Sequence, residues 1–400
     1  SSCFPKLAAA WQPSPWPSQL QRLWELVMQP VVADTAYPRC GSVREYTSAI
    51  AAAGAKRQWA VAIGIFVELE NRGFVPDVIT YTAAATAWSK SSHWEQVLQL
   101  LGRMRSRRME PVVATFNTAV TACGLAQEWA SSLRLLGAVC CTGLAPDVVS
   151  MGSAMTSCGK GQQWEWSLSL GQCLQKRVLE PNLITYGALV SACDASHEWV
   201  RALALLCELR GEGLLPNVII CSAAISACGK GQQWEHALAV LEEMFTSRLR
   251  PTPITYSCAI SACEKGLQWE RALMLFAETR RPDAIAHNAA ISACGQCGRW
   301  DAALVLLVAM RTAALLPTVT SYNSAVSACE KGQQWERALQ LLSDAPQRDV
   351  ITYNAALSAC EKGEQWQVAL QLLHHMQILK QRPDVVTFGA VISACEKGQQ

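Results

Sequence analysis

The sequence predicts an all-α protein, a right-handed α-solenoid of about ten and a half helix-turn-helix repeats. Ten of the 15 tryptophans recur every 35 residues, with two intervals of 31, and cysteine recurs six positions before them. A period of about 20 to 50 residues is typical of stacked repeats. Two residue types that share one period make a chance pattern implausible. The columns are Trp59, Trp94, Trp129, Trp164, Trp199, Trp234, Trp269, Trp300, Trp335 and Trp366, and Cys123, Cys158, Cys193, Cys228, Cys263, Cys294, Cys329, Cys360 and Cys395.

The repeats can be phased from Val43, and residues 1–42 do not keep the period. We interpret 1–42 as an irregular N-terminal segment and a degenerate cap, in which Gln19 to Met28 is predicted to form one short amphipathic helix. The repeat array is predicted to span 43–400. Its repeats are 43–77, 78–112, 113–147, 148–182, 183–217, 218–252, 253–283, 284–318, 319–349, 350–384 and a partial one, 385–400.

Each repeat is predicted to contain two helices, as the ninth repeat illustrates. Its first helix runs from Val319 to about Lys331 and presents small residues on one face. Gly332 follows, and we expect it to end that helix in the left-handed conformation. The second helix begins near Trp335. Each 31-residue repeat lacks four residues, about one helical turn, so its buried face stays in phase. The corresponding glycines in other repeats are Gly161, Gly231, Gly266 and Gly363.

Charge and hydropathy limit the functions that composition alone can support. A net charge of +2 gives no whole-protein electrostatic argument for binding nucleic acid or membrane. No uncharged apolar run of about 18 residues appears, so no segment is predicted to cross a membrane. The repeated cysteines are interpreted as buried thiols, which indicates a reducing compartment. Because the chain stops inside the KGQQ that precedes a repeat tryptophan, we expect it to be a fragment.

The stretch ITYNAALSACEKGEQWQVALQLLHHMQILKQRPD, preceded by Val350, resembles the pentatricopeptide repeat. That family's repeat is a 35-residue helix-turn-helix that opens with V-x-T-Y-N and ends in P-D. Related openings are VITYT at 78–82, LITYG at 183–187 and VTSYN at 319–323, and the resemblance covers 43–400. The tetratricopeptide signature W-x-x-L-G-x-x-Y is absent. The resemblance implies a single-stranded RNA binder of chloroplasts or mitochondria in which each repeat contacts one base.

The resemblance also implies which residues contact RNA. In the family, the fifth and last residues of a repeat read a base, and an apolar second residue packs against it. The base-reading residues would be Thr47, Asp77, Thr82, Asn117, Asp147, Asn182, Asn217, Ser222, Ser257, Asp283, Asn288, Asn323, Asp349, Asn354 and Asp384. The base-sandwiching residues would be Ile79, Val149, Ile184, Ile219, Ile254, Ile285, Ile351 and Val386, whereas Arg44, Ala114 and Thr320 depart from the pattern.

By the family's code, Asn with Asp implies U, and Thr or Ser with Asp implies G. From the N-terminus, 5′ to 3′, this gives G, unassigned, U, unassigned, unassigned, purine, G, pyrimidine, U and U. Gly152, Gly187 and Gly389 lack a reading side chain, and Val112 cannot form a hydrogen bond with its side chain. Independently of the family, an Asp before a helix is an ordinary N-cap, which is the simpler interpretation of any single position.

Lysine forms a further column at the end of the first helices. A cation there interacts favourably with the helix C-terminus, and the family resemblance implies phosphate contacts; both interpretations can hold. The column is Lys90, Lys160, Lys230, Lys265, Lys331, Lys362 and Lys397. If these lysines lie beside the fifth positions, the RNA interpretation gains support.

No enzyme, metal or cofactor is predicted. Cys294 and Cys297 form a CxxC without a second ligand pair, and His374 and His375 are adjacent on a helix and cannot share a face. The deaminase domain of the family's editing members, with its H-x-E and C-x-x-C, does not occur within these residues.

We therefore predict a sequence-selective single-stranded RNA-binding protein that acts in organellar RNA processing, stabilisation or translation, with other RNA-processing proteins as further partners and no membrane. The alternative is a protein-binding helical scaffold, which uses the same architecture. A catalytic domain outside the sequence is a third option.

Overall fold

The computed structural model describes residues 41–56, 58–89, 94–176, 181–280, 282–379 and 381–398. All regular elements in these ranges are helices, which confirms the predicted fold class. The predicted helix at Gln19 to Met28 and the predicted phosphate contact Lys90 lie outside the described residues.

The described helices alternate between a first and a second type. The first helices are α1 (Val43–Ala55), α3 (Val78–Ser89), α5 (Val113–Leu125), α7 (Val148–Lys160), α9 (Leu183–Ala195), α11 (Val218–Lys230), α13 (Pro253–Lys265), α15 (Ala284–Gln296), α17 (Val319–Lys331), α19 (Val350–Lys362) and α21 (Val385–Lys397). The second helices are α2 (Trp59–Asn71), α4 (Trp94–Ser106), α6 (Trp129–Cys141), α8 (Trp164–Lys176), α10 (Trp199–Gly211), α12 (Trp234–Thr246), α14 (Trp269–Glu278), α16 (Trp300–Thr312), α18 (Trp335–Asp344) and α20 (Trp366–Ile378).

The chain divides into two compact units, residues 1–196 with 207–214, and residues 197–206 with 215–400. In the first unit, each first helix from α1 to α9 packs against the next first helix. The same contacts connect α11 to α21 in the second unit. The second helices α2 to α8 and α12 to α20 pack against their own first helix and the following one, as α16 does with α15 and α17. Each unit is therefore a stack of helix pairs.

The cysteine column lies in the core, as predicted. Its members from Cys123 to Cys360 are fully buried, and Cys395 is half-buried. Burial raises the pKa of Cys123 and Cys158 to about 12. It raises the pKa of the thiols of Cys228, Cys263, Cys294, Cys329 and Cys360 to about 11. These thiols stay protonated at neutral pH and act as small hydrophobic residues.

The prediction that a glycine ends each first helix in the left-handed conformation is wrong. Gly332 has φ −81°, and the next residue, Gln333, takes the left-handed conformation with φ 56°. Gly161, Gly231, Gly266 and Gly363 behave in the same way. The glycine is needed because a tryptophan of the preceding repeat occupies the space of a side chain. A Cβ atom on Gly332 would lie 2.2 Å from Cδ1 of Trp300.

This tryptophan–glycine contact recurs at the repeat interfaces. A Cβ atom would lie 2.5 Å or less from the tryptophan ring in the pairs Gly161 with Trp129, Gly231 with Trp199, Gly266 with Trp234, Gly363 with Trp335, and Gly398 with Trp366. The tryptophans of these pairs are half-buried. They hold neighbouring repeats in register from the edge of the core.

The two 31-residue repeats lose their residues at the end of the second helix. α14 and α18 have 10 residues, whereas the other second helices have 13. After α14 and α18 the chain is extended, with ψ 111° at Thr279 and 123° at Ala345. After α16, by contrast, Ala314 takes the left-handed conformation with φ 58°. The four-residue deletion therefore changes the backbone conformation that follows the second helix. The buried N-terminal part of that helix is kept.

Candidate nucleic-acid interface

Three of the predicted base-reading pairs form one hydrogen-bonded arrangement. In each, Nδ2 of the fifth-position asparagine donates to the carboxylate of the last residue of the repeat. Its distances to Oδ1 and Oδ2 are 3.2 and 3.1 Å for Asn117 with Asp147, 3.3 and 3.2 Å for Asn323 with Asp349, and 3.1 and 3.2 Å for Asn354 with Asp384. The carboxylate thus fixes which end of the amide faces it.

A hydroxyl that had no role in the sequence-based prediction completes the arrangement. The third residue of the following repeat, Thr352, places Oγ1 2.6 Å from Oδ1 of Asn323 and 2.5 Å from Oδ1 of Asp349. Thr387 and Ser150 do the same for the other two pairs. The signal in the sequence is the T of the V-x-T-Y opening. At most 1% of each of these third-position residues is exposed: Thr80, Thr115, Ser150, Thr185, Thr255, Ser321, Thr352 and Thr387.

The last residue of a repeat also caps the following helix. Asp349 accepts the backbone N–H of Thr352 at 2.8 Å while it holds Asn323. Burial alone would raise the pKa of Asp349, but the hydrogen bonds from Thr352 and Asn323 outweigh it and lower that pKa. The pKa of Asp147 is lowered against burial in the same way, by Ser150 and Asn117. Both carboxylates are charged at neutral pH, so the cap and the pair coexist.

Two further repeats hold variants of this arrangement. Oγ of Ser257 lies 3.0 Å from Oδ1 of Asp283 and 2.8 Å from the Pro253 carbonyl. Asn288 accepts from Ser321 through Oδ1 at 2.6 Å, and its Nδ2 reaches Oγ1 of Thr320 at 3.4 Å.

The remaining predicted readers are placed differently. Thr47, Thr82 and Ser222 contact the third-position hydroxyls Thr80, Thr115 and Thr255, at 2.7, 2.9 and 2.7 Å. Within the described residues, these three make no direct hydrogen bond to the last residue of their repeat. Asn182 and Asn217 cap α9 and α11. Asp77 caps α3, and its hydrogen bond with the Thr80 hydroxyl lowers the pKa of its carboxyl group.

The predicted base-sandwiching residues form an exposed apolar column. The exposed fraction of these eight side chains runs from 61% for Val149 to 76% for Ile184. Each lies on the first turn of a first helix, one position after the residue at which the helix begins. β-Branched side chains at one phase are therefore presented to solvent on the helices that carry the predicted base-reading residues.

The second, fifth, ninth and thirteenth positions share one side of the first helix, which we call the first-helix face. Ile351 and Lys362 are eleven residues apart on α19, which corresponds to a rotation of about 20° around the helix. Asn323, Ser327 and Lys331 line one groove of about 350 Å³, together with Ser292, Gly295, Gln296 and Ser324. A predicted reader and a predicted phosphate contact thus open into the same groove between α15 and α17.

The lysine column lies in the last turns of the first helices, but its members have different partners. Lys160 and Lys265 are exposed and have no hydrogen-bonding or ion-pair partner among the described residues. Nζ of Lys331 lies 3.4 Å from the Gln296 carbonyl. Lys362 and Lys397 bind carboxylates of the preceding repeat. Lys230 lies at the end of α11.

Metal-binding groups and membrane-spanning helices are absent from the described part of the chain. No three His, Cys, Asp or Glu side chains come together there as a group able to hold a metal ion. Cys297 is half-buried, and its Sγ lies 3.4 Å from the Leu267 carbonyl. None of the described helices has the length and hydrophobicity needed to cross a membrane.

Helix pairs with this repeat length define a helical-repeat protein, and family models identify which kind. The PPR repeat family matches residues 348–397, the pentatricopeptide repeat domain matches 64–125, 169–231 and 204–265, and the PPR repeat matches 254–281, 285–313 and 320–350. Together these matches cover more than half of the chain. The chain belongs to the pentatricopeptide repeat family.

Solved structures share its fold. A crystal structure of the pentatricopeptide repeat protein PPR10 in complex with an 18-nt psaJ RNA element has a TM-score of 0.77 and 19% identity, over 99% of this chain and 57% of that chain. A crystal structure of PPR10 from maize has a TM-score of 0.58 and 21% identity, over 95% of this chain and 55% of that one. The chain thus spans little more than half the length of these proteins. No curated protein sequence matches the chain significantly.

Proposed function

We propose that this repeat array binds single-stranded RNA through the first-helix face, with one base per repeat. One observation carries the proposal: the same oriented asparagine, held by an aspartate and a buried hydroxyl, recurs in three repeats beside exposed apolar side chains. Single-stranded bases are recognised by stacking on side chains and by hydrogen bonds to their edges. The RNA-bound PPR10 structure supports the same use of this fold.

The hydrogen bonds of the asparagine explain how it could distinguish bases. In Asn354, Oδ1 accepts from the Thr387 hydroxyl and Nδ2 donates to Asp384. An amide nitrogen carries two protons, so one N–H is left to donate to a base. Uracil presents carbonyl oxygens on its edge, which suits a donor. Ser257 is smaller than Asn and leaves room for a larger base, consistent with G.

The last four complete repeats of the second unit each have an assigned base, and the repeat before them, with Ser222 and Thr252, would read a purine. Ser257 with Asp283, Asn288 with Thr318, Asn323 with Asp349, and Asn354 with Asp384 would read G, a pyrimidine, U and U in 5′ to 3′ order. The first unit contributes one repeat of the Asn–Asp type, formed by Asn117 and Asp147. We propose these five pairs as the main determinants of sequence preference.

Fluorescence anisotropy with short labelled RNAs tests this function. The chain is titrated against a ten-nucleotide RNA of the predicted order, a scrambled RNA of equal composition and the matching single-stranded DNA, across a salt series. We expect the predicted RNA to bind most tightly. Log affinity should fall with log salt at a slope of about −4 if six phosphates are neutralised, at about −0.7 per contact.

A variant with Asn117, Asn323 and Asn354 changed to Ala provides the matched control. It should keep the salt-dependent binding and lose the preference for the predicted RNA, because its lysines are untouched. If the unmodified chain binds no RNA at low salt, RNA recognition is wrong. The protein-scaffold alternative would then apply, which the exposed Val112 at a reading position and the paired lysines Lys362 and Lys397 favour.

We further propose that the protein binds RNA without catalysis by these residues, and that it acts in organellar RNA processing, stabilisation or translation, with other RNA-processing proteins as partners. The family resemblance and the buried, reduced thiols support an organellar location, in a chloroplast or a mitochondrion. Imaging a fluorescent fusion of the full-length protein with organelle markers tests this location. Uniform fluorescence outside both organelles would contradict it.

A further inference from the structure

Two glutamates hold the last two lysines of the first-helix face. Nζ of Lys362 lies 2.9 Å from Oε1 of Glu330, and the Ser358 hydroxyl donates to the same oxygen at 2.8 Å. One repeat further on, Nζ of Lys397 lies 2.9 Å and Oγ of Ser393 lies 2.7 Å from Oε1 of Glu361. In both cases one carboxylate oxygen receives an ammonium and a hydroxyl from the following repeat.

At Glu361 the lysine offsets the effect of burial on the carboxylate. Burial would raise the pKa of Glu361, but the hydrogen bonds from Lys397 and Ser393 and the nearby positive charges lower it. Glu264 occupies the equivalent position in the seventh repeat, where Gln296 replaces the partner lysine. There burial dominates and raises the pKa of Glu264, despite a hydrogen bond from Ser292. The lysine-bound carboxylate is therefore an ionised competitor for any other anion.

Lys331 occupies the same repeat position as Lys362 and Lys397, but the preceding repeat has no glutamate to bind it. The preceding repeat has Gly295 where Glu330 and Glu361 stand, and a Cβ atom at Gly295 would lie 3.0 Å from the Ser324 carbonyl. Lys331 opens into the groove that Asn323 also lines. The array thus contains lysines available to an external anion and lysines already bound to an internal one.

We propose that Glu330 and Glu361 compete with RNA phosphate for Lys362 and Lys397, and so weaken sequence-independent binding at the last repeats. The inference rests on the proposed RNA-binding function. Phosphate oxygens accept the same donors as a carboxylate, an ammonium and a hydroxyl. For a phosphate to bind Lys362 and Ser358, it must displace Glu330. A nearby glutamate would also repel it.

The competition has a consequence for specificity. Phosphate contacts provide affinity for any sequence, whereas base contacts provide discrimination. Where lysines are neutralised in the free protein, net affinity depends more on the base contacts. The glutamates adjoin the repeats that carry the well-formed Asn323 and Asn354 pairs, so those pairs would contribute a larger share of the discrimination.

The test compares Glu330→Gln with Glu361→Gln and the double variant, in salt-series anisotropy titrations with the predicted and the scrambled RNA. Glutamine keeps an oxygen that accepts the serine and lysine hydrogen bonds and removes the negative charge. We expect each change to tighten binding of both RNAs about two- to fivefold, the range for an exposed charge pair. Each should also steepen the salt slope by about 0.7.

Glu336→Gln is the matched control, because it removes the same charge from an exposed site on the second helix α18. It should change affinity less than Glu330→Gln does. Combining Glu330→Gln with Lys362→Gln should abolish the gain if the effect acts through that lysine. Circular dichroism confirms that each variant is folded.

Three outcomes would overturn the inference while leaving RNA binding intact: unchanged affinity in the glutamine variants, an equal gain from Glu336→Gln, or a gain that persists without Lys362. Absence of RNA binding by the unmodified chain and by every glutamine variant would instead contradict the proposed function itself. The two failures are therefore distinguishable in one set of titrations.

Discussion

Replacing Thr352 by valine tests whether the buried hydroxyl orients Asn323, the predicted base-reading residue of the ninth repeat. Thr352 is fully buried, and valine has nearly the same shape. The hydroxyl contacts Oδ1 of Asn323 and Oδ1 of Asp349, and it accepts the backbone N–H of Asp349 at 3.3 Å. The substitution removes these interactions and opens no cavity.

The expected loss of stability follows from the number of hydrogen bonds. A hydroxyl has one proton, so it donates to Asn323 or Asp349 at any moment and accepts one bond. Two hydrogen bonds at about 0.5–1.5 kcal/mol each give a loss of about 1–3 kcal/mol in the free energy of unfolding. Urea denaturation followed by circular dichroism measures it.

The functional effect of Thr352→Val is separate from the loss of stability. Without the hydroxyl, Oδ1 of Asn323 loses its donor and the amide is held by Asp349 alone. The ninth repeat should therefore show a weaker preference for U. Anisotropy titrations with four RNAs that differ only at this base measure the preference.

Thr246→Val is the control for this prediction, because that exposed hydroxyl donates to the carbonyl of Glu243 in its own helix and to no other group among the described residues. It should leave both the stability and the base preference nearly unchanged. If Thr352→Val lowers stability and keeps the U preference, the hydroxyl supports the fold and does not orient the reader.

Three further predictions concern Asn354, Gly332 and Asp349. Asn354→Ser should shift the preferred base at the tenth repeat from U towards G, and an unchanged preference in the four-RNA titration would contradict the assignment. Gly332→Ala should lower the free energy of unfolding by about 1–3 kcal/mol, because its Cβ would overlap Trp300. Gly102→Ala, whose added Cβ would meet no atom of another described element within 4 Å, should instead stabilise the protein by about 0.4–1 kcal/mol. Equal denaturation midpoints for the two variants would refute the tryptophan–glycine contact. Because the folded-state pKa of Asp349 is lowered, its contribution to stability is present above the ordinary aspartate pKa and is lost as the pH falls below about 4. In Asp349→Asn that part of the acid dependence should be absent from thermal unfolding curves, and an identical acid profile would show that the group does not contribute.

Helix positions could be predicted from the sequence because they depend on local periodicity. Each signal can be recognised within a single repeat: the position of the tryptophan, the residue before the first helix, and the four-residue deletion. The ninth repeat shows this, since its first helix spans Val319–Lys331 and its second begins at Trp335. Burial of the cysteine column followed from the same period, since Cys329 lies among small residues on the packed face.

Features that depend on two repeats at once were missed. The role of Gly332 is set by Trp300 of the preceding repeat, and no local rule for helix ends includes that ring. Likewise, Glu330 is adjacent to Lys331 in sequence but binds Lys362, because its side chain points towards the following repeat. Spacing within one repeat cannot show which neighbour a side chain reaches.

Considering one repeat at a time also made helix capping and base reading look like alternative roles for the last residue of a repeat. Asp349 ends one repeat and begins the first helix of the next, and its carboxylate binds both Thr352 N–H and Asn323 Nδ2. The stability of the helix and the orientation of the Asn323 amide therefore depend on the same side chain. An alanine there would cost about 1 kcal/mol through the lost cap and would release the amide as well, so the two losses could not be separated. Changes at Asn323 or Thr352 alter the reader and keep the carboxylate that caps the helix, and for this reason they test the assignment of bases most directly.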